Sequence, residues 1–251
     1  MMRMIHLPLG LACLLLLMTF ISAAEAQNRV YELRTYTTNE GKLENLHARF
    51  RDHTMRFFEE AGMENHVYWV PSDGEGADNT LVYIISHESP EAAAKNWEKF
   101  RANAEWKTVA AESEKDGKIL AKRPDSVYMQ PTDFSPQNFE SAEEPRLFEL
   151  RKYTTAEGRL PALLQRFRDG ELKLFEKQGM TNVAYFTPLE MPNTLIYVVA
   201  HKDAAAKKKA WDGFRNDEEW QQLWEKSTKD GKIVIQVDSQ VLRPVDYSPM
   251  K

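Results

Sequence analysis

Cysteine is almost missing from this chain: Cys13 is the only one among 251 residues, and it lies in a stretch expected to be removed. The rest of the protein then has no disulfide, no thiol nucleophile and no cysteine metal site, so packing must supply its stability. Long basic stripes are missing as well. Lysine and arginine number 33 against 38 aspartate and glutamate, a net charge of −5, which argues against nucleic acid as a partner. No G-x-S-x-G, H-E-x-x-H, phosphate-binding loop or dinucleotide fingerprint occurs, and no metal site is predicted. Hydrolase, zinc-protease and nucleotide-dependent chemistries therefore lose their usual sequence support.

The one long apolar run, Leu9 to Ile21, follows Arg3 and precedes Ala24-Glu25-Ala26. A positive start, an apolar middle and a small-x-small end form the pattern of a cleaved export signal over residues 1–26. The run is short for a membrane span and no stop-transfer pattern follows it, so no stable membrane insertion is expected after cleavage. Removal takes away Arg3 and Glu25 and leaves the net charge at −5. The expected location is periplasmic or extracellular.

What the chain does contain is itself, twice. From Tyr31 to Trp69, 20 of 39 positions recur at Phe148 to Phe186, far above the roughly one in twenty expected by chance, so the domain is duplicated. The copies span residues 27–136 and 146–251, joined by a polar, acidic linker at 137–145. Each closes on a shared phrase, Asp133-Phe134-Ser135-Pro136 and Asp246-Tyr247-Ser248-Pro249.

Within each copy the periodicity changes in one order. Val30 to Tyr36 alternates as a strand, and Gly41 to Ala61 carries a helical stripe that ends at Gly62. Two β-rich runs follow at Val67–Val70 and Leu81–His87. Pro90 opens a second helix and Trp106 a shorter one, before a last strand over Lys118–Met129. The order β-α-β-β-α-β is the ferredoxin-like unit. Its sheet has one uncovered face, and two tandem copies can cover each other. The predicted fold is α+β, an intramolecular pseudo-dimeric α/β barrel, with a monomer as the default state.

The phrase YELRTYT, the G-[KR]-L helix start, the E-W piece after the second helix and the terminal strand resemble the NIPSNAP family across both copies. That resemblance implies the dimeric α/β-barrel fold, shared with monooxygenase-like, EthD-like and haem-binding chlorite-dismutase-like proteins. It implies no agreed catalytic residues.

Candidate site residues come from strand alternation. Glu32, Arg34 and Tyr36 share one face of the first strand, as do Glu149, Arg151 and Tyr153 in the second copy. The opposite face, Tyr31 and Leu33, is more apolar and is expected to meet the helices. The charged trios are therefore predicted to line the barrel interior, compensated as ion pairs. By the same reasoning Tyr83, His87, Tyr197 and His201 point to the barrel or its rim. His53 falls on the helix stripe where the second copy has Gly170, which suggests one asymmetric pocket. Trp97, Trp211, Trp106 and Trp220 suit packing, and Tyr68 and Tyr185 could line the same space. Two functions follow. The first is a small-ligand-binding or interaction module. The second is a monooxygenase-like enzyme acting on a small apolar or aromatic substrate, with His53 as general base and Arg34 and Tyr36 beside it. No cofactor is predicted; haem or flavin stays open for the enzyme reading.

Overall fold

The computed structural model describes residues 28–74 and 76–251, so the expected export segment 1–26 lies outside the described residues. The first copy contains β1 (Val30–Thr37), α1 (Leu43–Arg49), α2 (Met55–Ala61), β2 (Glu64–Pro71), β3 (Thr80–His87), α3 (Pro90–Ala102), α4 (Ala104–Ser113) and β4 (Asp125–Pro131). The second repeats the order with β5 (Leu147–Thr155), α5 (Leu160–Arg166), α6 (Leu172–Lys177), β6 (Thr181–Pro188), β7 (Thr194–His201), α7 (Ala204–Asn216), α8 (Glu218–Thr228) and β8 (Val234–Pro244). No helix among them is long and apolar enough to cross a membrane.

The local rules are visible at the helix ends. Ser89 accepts a hydrogen bond from Ala92 N ahead of Pro90, and Asp203 does the same from Ala206 N. Asn103 and Asp217 cap the following helices through their side chains.

Each copy is a four-stranded antiparallel sheet, and the two join edge to edge into one closed barrel in the order β1-β3-β2-β8-β5-β7-β6-β4. The seams are β2 with β8, from Trp69 opposite Pro244 to Pro71 opposite Leu242, and β4 with β6, from Met129 opposite Pro188 to Pro131 opposite Phe186. Closure removes the exposed sheet edges that two separate copies would present. The predicted pseudo-dimeric α/β barrel is the observed architecture.

The two faces of the strands are inverted relative to the sequence reading. Tyr31, Leu33, Val82 and Ile84 pack with Phe148, Phe186, Ile196 and Val198 in one cluster shared by both copies, which is the barrel interior. Tyr36, Tyr83 and Ile85 join α1, α2 and α3 in a second cluster, and Tyr153, Tyr197 and Val199 join the second copy's helices in a third. Glu32, Arg34, Glu149 and Arg151 share that outward side. The physical reason is closure. A narrow eight-stranded barrel is filled by its own side chains, so its interior takes the purely apolar face. The helix layer, which carries tryptophan N–H donors, takes the face with the carboxylates.

One local feature repositions the candidate site. Between α1 and α2 the chain makes a π turn over Phe50–Thr54, and between α5 and α6 another over Phe167–Glu171. The extra residue rotates everything beyond it. The inner stripe becomes Leu46, Phe50, Thr54 and Phe58, while His53 turns away to half-burial.

Candidate functional site

Glu32 is completely buried, yet four donors meet it. Arg34 donates to Oε1, as does Ser126 Oγ at 2.6 Å. Trp97 Nε1 donates to Oε2 at 2.7 Å, and His87 Nε2 lies 3.1 Å from the same oxygen. Burial pushes this carboxyl up, but the His87, Arg34 and Ser126 contacts outweigh it and hold it at about 2. A carboxylate so placed must accept, so His87 carries its proton on Nε2 and takes Asn96 Nδ2 on Nδ1 at 3.2 Å. The second copy repeats the knot on Glu149 with Arg151, Ser239, Trp211 and His201. It differs from the first at His201 Nδ1, which has no partner, because Ala210 stands where Asn96 does. Both carboxylates are saturated, so these trios lock the first helix after β3, or after β7, onto the sheet.

The remaining candidates scatter. Tyr83 stacks on Tyr68 at 4.9 Å and Tyr197 on Tyr185 at 5.1 Å, all fully buried in the sheet–helix layers. His87 and His201 are interior residues of the knots and do not reach a cavity. His53 lines a shallow hollow of about 370 Å³ with Arg49, Asp52 and Thr108. Arg34 lines a different one with Arg123 and Tyr128. The proposed convergence of His53, Arg34 and Tyr36 on one cavity does not occur. The cause is the π turn, which carries His53 off the stripe that Tyr36 faces.

The two copies do diverge, one residue beyond the His53/Gly170 pair. The π turn brings Thr54 inward in the first copy and Glu171 inward in the second. Glu171 is 1 % exposed and accepts from Arg166 Nε at 2.8 Å. In the first copy the matching arginine, Arg49, reaches instead to Glu114 at the helix surface, 3.5 Å away. The residue matching Glu114 is Thr228, and the one matching Ala110 is Trp224. The carboxylate has thus moved from rim to floor, and an indole has been added at the mouth.

These exchanges open a pocket of about 410 Å³ between the second sheet and its helices. Tyr153, Arg166, Glu171, Thr228 and the exposed Lys232 supply its polar groups, and Phe214, Trp220 and Trp224 its aromatic walls. Arg166 lies over the Trp220 ring at 5.1 Å, and Tyr153 takes a hydrogen bond from Arg151 at 3.2 Å. Burial pushes the Glu171 carboxyl up, against the opposing pull of Arg166. Trp224 stays half exposed at the mouth with Val237 beside it. A charge-paired floor under aromatic walls suits a neutral, largely apolar guest with one hydrogen-bonding end. Of the sequence candidates only Tyr153 belongs to this pocket. The signal for Glu171 and Arg166 was present in the repeat comparison, as Thr54 against Glu171, but reading it required the π turn.

Among solved structures, a candidate monooxygenase from Fusobacterium nucleatum superimposes with a TM-score of 0.58 at 9% identity, covering 87% of this chain and 93% of its own. A candidate chlorite dismutase gives 0.51 at 13% identity, covering 88% of this chain and 96% of its own. A NIPSNAP family protein from Agrobacterium tumefaciens, of unknown function, is 17% identical and covers 45% of this chain with 99% of its own, at a TM-score of 0.39. At such identities the first two establish a shared fold and nothing of activity. Among curated proteins none matches this chain. The NIPSNAP family model matches residues 31–136 and again 148–249, so the chain belongs to the NIPSNAP family, with two copies of its domain in tandem.

Proposed function

We propose that this protein is an exported small-ligand-binding module whose site is the second copy's pocket, with Arg166, Glu171 and Tyr153 at its floor and Trp220 and Trp224 as walls. One observation carries the reading: the exchange of Thr54 for Glu171 and of Glu114 for Thr228 between copies of one domain. A carboxylate moved into a buried position costs folding free energy unless something is gained there. Export rests on the residue pattern of segment 1–26 alone. The ligand class is a small aromatic or apolar molecule bearing a hydroxyl or carbonyl, which Arg166 or Glu171 can engage.

The test uses 1-naphthol as probe, followed by calorimetric titration of the chain. Binding to the unaltered protein is expected to weaken at least tenfold in Trp224→Ala and in Glu171→Thr. The matching first-copy change, Glu114→Thr, should leave it alone. Equal affinity in all four proteins would refute the assignment.

A second reading has its own observation, the upward shift of a carboxyl inside an aromatic pocket, which is a common setting for a general acid or base. Fold likeness to candidate monooxygenases agrees with it. If it holds, Glu171→Gln should abolish turnover of a bound phenol while leaving its affinity within about threefold.

A further inference from the structure

A second cleft, of about 500 Å³, lies in the first copy where β4 meets the β6–β7 turn of the second. Its lining includes Arg34, Arg101, Arg123, Ser126, Tyr128 and Glu190. We propose that this cleft binds small carboxylates that carry a hydroxyl or amino group, with Arg101 and Arg123 as the anion-binding pair. The proposal is independent of the pocket around Glu171.

The charges in the cleft are unequally committed. Arg34 is engaged by Glu32, and Ser126 donates to the same carboxylate. Among the described residues neither Arg101 nor Arg123 has an ion-pair partner, although the chain carries an excess of acidic residues. Two guanidiniums facing one cleft repel each other, and an oxyanion between them relieves that repulsion through charge-assisted hydrogen bonds. Glu190 is the counterweight. It reaches the cleft from the second copy on a turn pinned by Leu189 N to Tyr128 O at 2.8 Å. Two free cations against one carboxylate leave a single positive charge, which matches one carboxylate better than a dianion. Glu190 then accepts from a hydroxyl or amine on the same guest. Burial pushes the Tyr128 phenol up to about 12, so it remains a donor at neutral pH.

The second copy serves as an internal control, for Arg34 and Ser126 persist there as Arg151 and Ser239 while the groups assigned to the anion do not. Arg215, which matches Arg101, is bound by Asp212 at 2.6 Å. In the first copy Arg123 sits in a loop, because Pro124 cannot donate to a sheet and β4 begins only at Asp125. In the second copy β8 begins earlier, at Val234, and Val237 pairs with Tyr153 in the ladder. Val241 replaces Tyr128. The same region of one ancestral domain has thus become an anion cleft in one copy and part of an apolar pocket mouth in the other.

Saturation-transfer NMR on the unaltered protein, with glycolate, lactate and β-alanine as the observed probes and inorganic phosphate as a competing dianion that displaces them, tests this. At least one carboxylate should bind more tightly than phosphate at pH 8. Arg101→Gln and Arg123→Gln should each weaken it tenfold or more, whereas Arg215→Gln should not. Glu190→Gln should raise the relative affinity for phosphate. No carboxylate signal, a tighter phosphate, or an equal loss in Arg215→Gln would overturn the proposal. All the altered arginines are exposed, so loss of folding does not confound the result.

Discussion

Arg166 Nε donates to Glu171 Oε2 across 2.8 Å, and the two side chains are only 5% and 1% exposed. A buried ion pair of this kind is weak evidence for stability, since apolar replacement of both partners is often neutral or favourable by about 1–4 kcal/mol, while removing one costs about 3–5 kcal/mol. Urea denaturation of Arg166→Met, Glu171→Leu and the double variant should show that pattern. The double variant is expected to equal or exceed the unaltered chain, and each single variant to fall below it. The sign with pH is also fixed. Burial raises the folded carboxyl of Glu171 above its unfolded value, so its contribution is fully present below the unfolded pKa. That contribution declines as pH rises through the folded pKa. The double variant should lose this component.

Glu32 has the opposite sign. Its folded carboxyl sits at about 2, so its contribution is present above the unfolded value of about 4.3. It is lost as pH falls from there towards 2. Glu32→Gln leaves Arg34 buried without its counter-charge and should cost about 3–5 kcal/mol at pH 7. In acid titrations followed by circular dichroism, the variant should approach the unaltered protein as the pH nears 2. A constant gap across pH 2–7 would remove the ionic role given to this carboxylate.

A third polar cluster exists only in the first copy, at one end of the barrel. His66 Nε2 lies 2.8 Å from Ser86 Oγ, which accepts from Arg29 at 2.8 Å and faces Glu64. The linker's Phe139 stacks on the imidazole at 4.4 Å, and Tyr31 flanks it at 5.2 Å. Burial lowers the His66 pKa to about 4. The unfolded chain therefore binds the extra proton first, and stability falls as pH drops from about 6.5 to 4. The second copy has Val183 and Ala200 at these positions. The paired change His66→Val with Ser86→Ala should cost under about 1.5 kcal/mol at pH 7 and flatten the profile between pH 6.5 and 4. Persistence of the slope would assign it to another group.

Duplication makes the architecture legible in the amino-acid sequence itself. The repeat of Glu32-Leu33-Arg34 as Glu149-Leu150-Arg151, and the element order around it, lead directly to the closed barrel. The orientation of the faces is not legible, because strand alternation separates Leu33 from Arg34 without saying which layer lies on which side. Both layers are buried, so polarity alone does not decide. Tryptophan N–H groups one layer away, Trp97 and Trp211, determine where the carboxylates go, and their reach is a tertiary fact. The site escapes the sequence by one residue for a related reason. Helical phase carried across Phe50–Thr54 places His53 inward, and only the extra residue of the π turn turns Thr54 and Glu171 to the core instead.

The glycines closing the first helical segment of each copy provide a final test of how the knots are built. Gly62 has φ +99 and Gly179 φ +83, left-handed conformations that non-glycine residues adopt at a cost of about 1–2 kcal/mol. Backbone strain should therefore make Gly179→Ala lose about that much, since nothing lies within 4 Å of the added methyl. Gly62→Ala should lose more, because its methyl would sit 3.0 Å from Asn96 Oδ1. Asn96 also donates to Gly62 O at 2.8 Å and to His87 Nδ1 at 3.2 Å, and His87 in turn holds Glu32. Displacing Asn96 frees the imidazole to turn and weakens a donor on the buried carboxylate. Gly62→Ala should accordingly shift the acid unfolding midpoint upward in addition to lowering the melting temperature. Gly179→Ala should raise the acid midpoint less, only as far as its smaller loss of stability requires, since Ala210 already leaves His201 Nδ1 without a partner. Equal acid midpoints in the two variants would show that Asn96 does not orient His87 in solution.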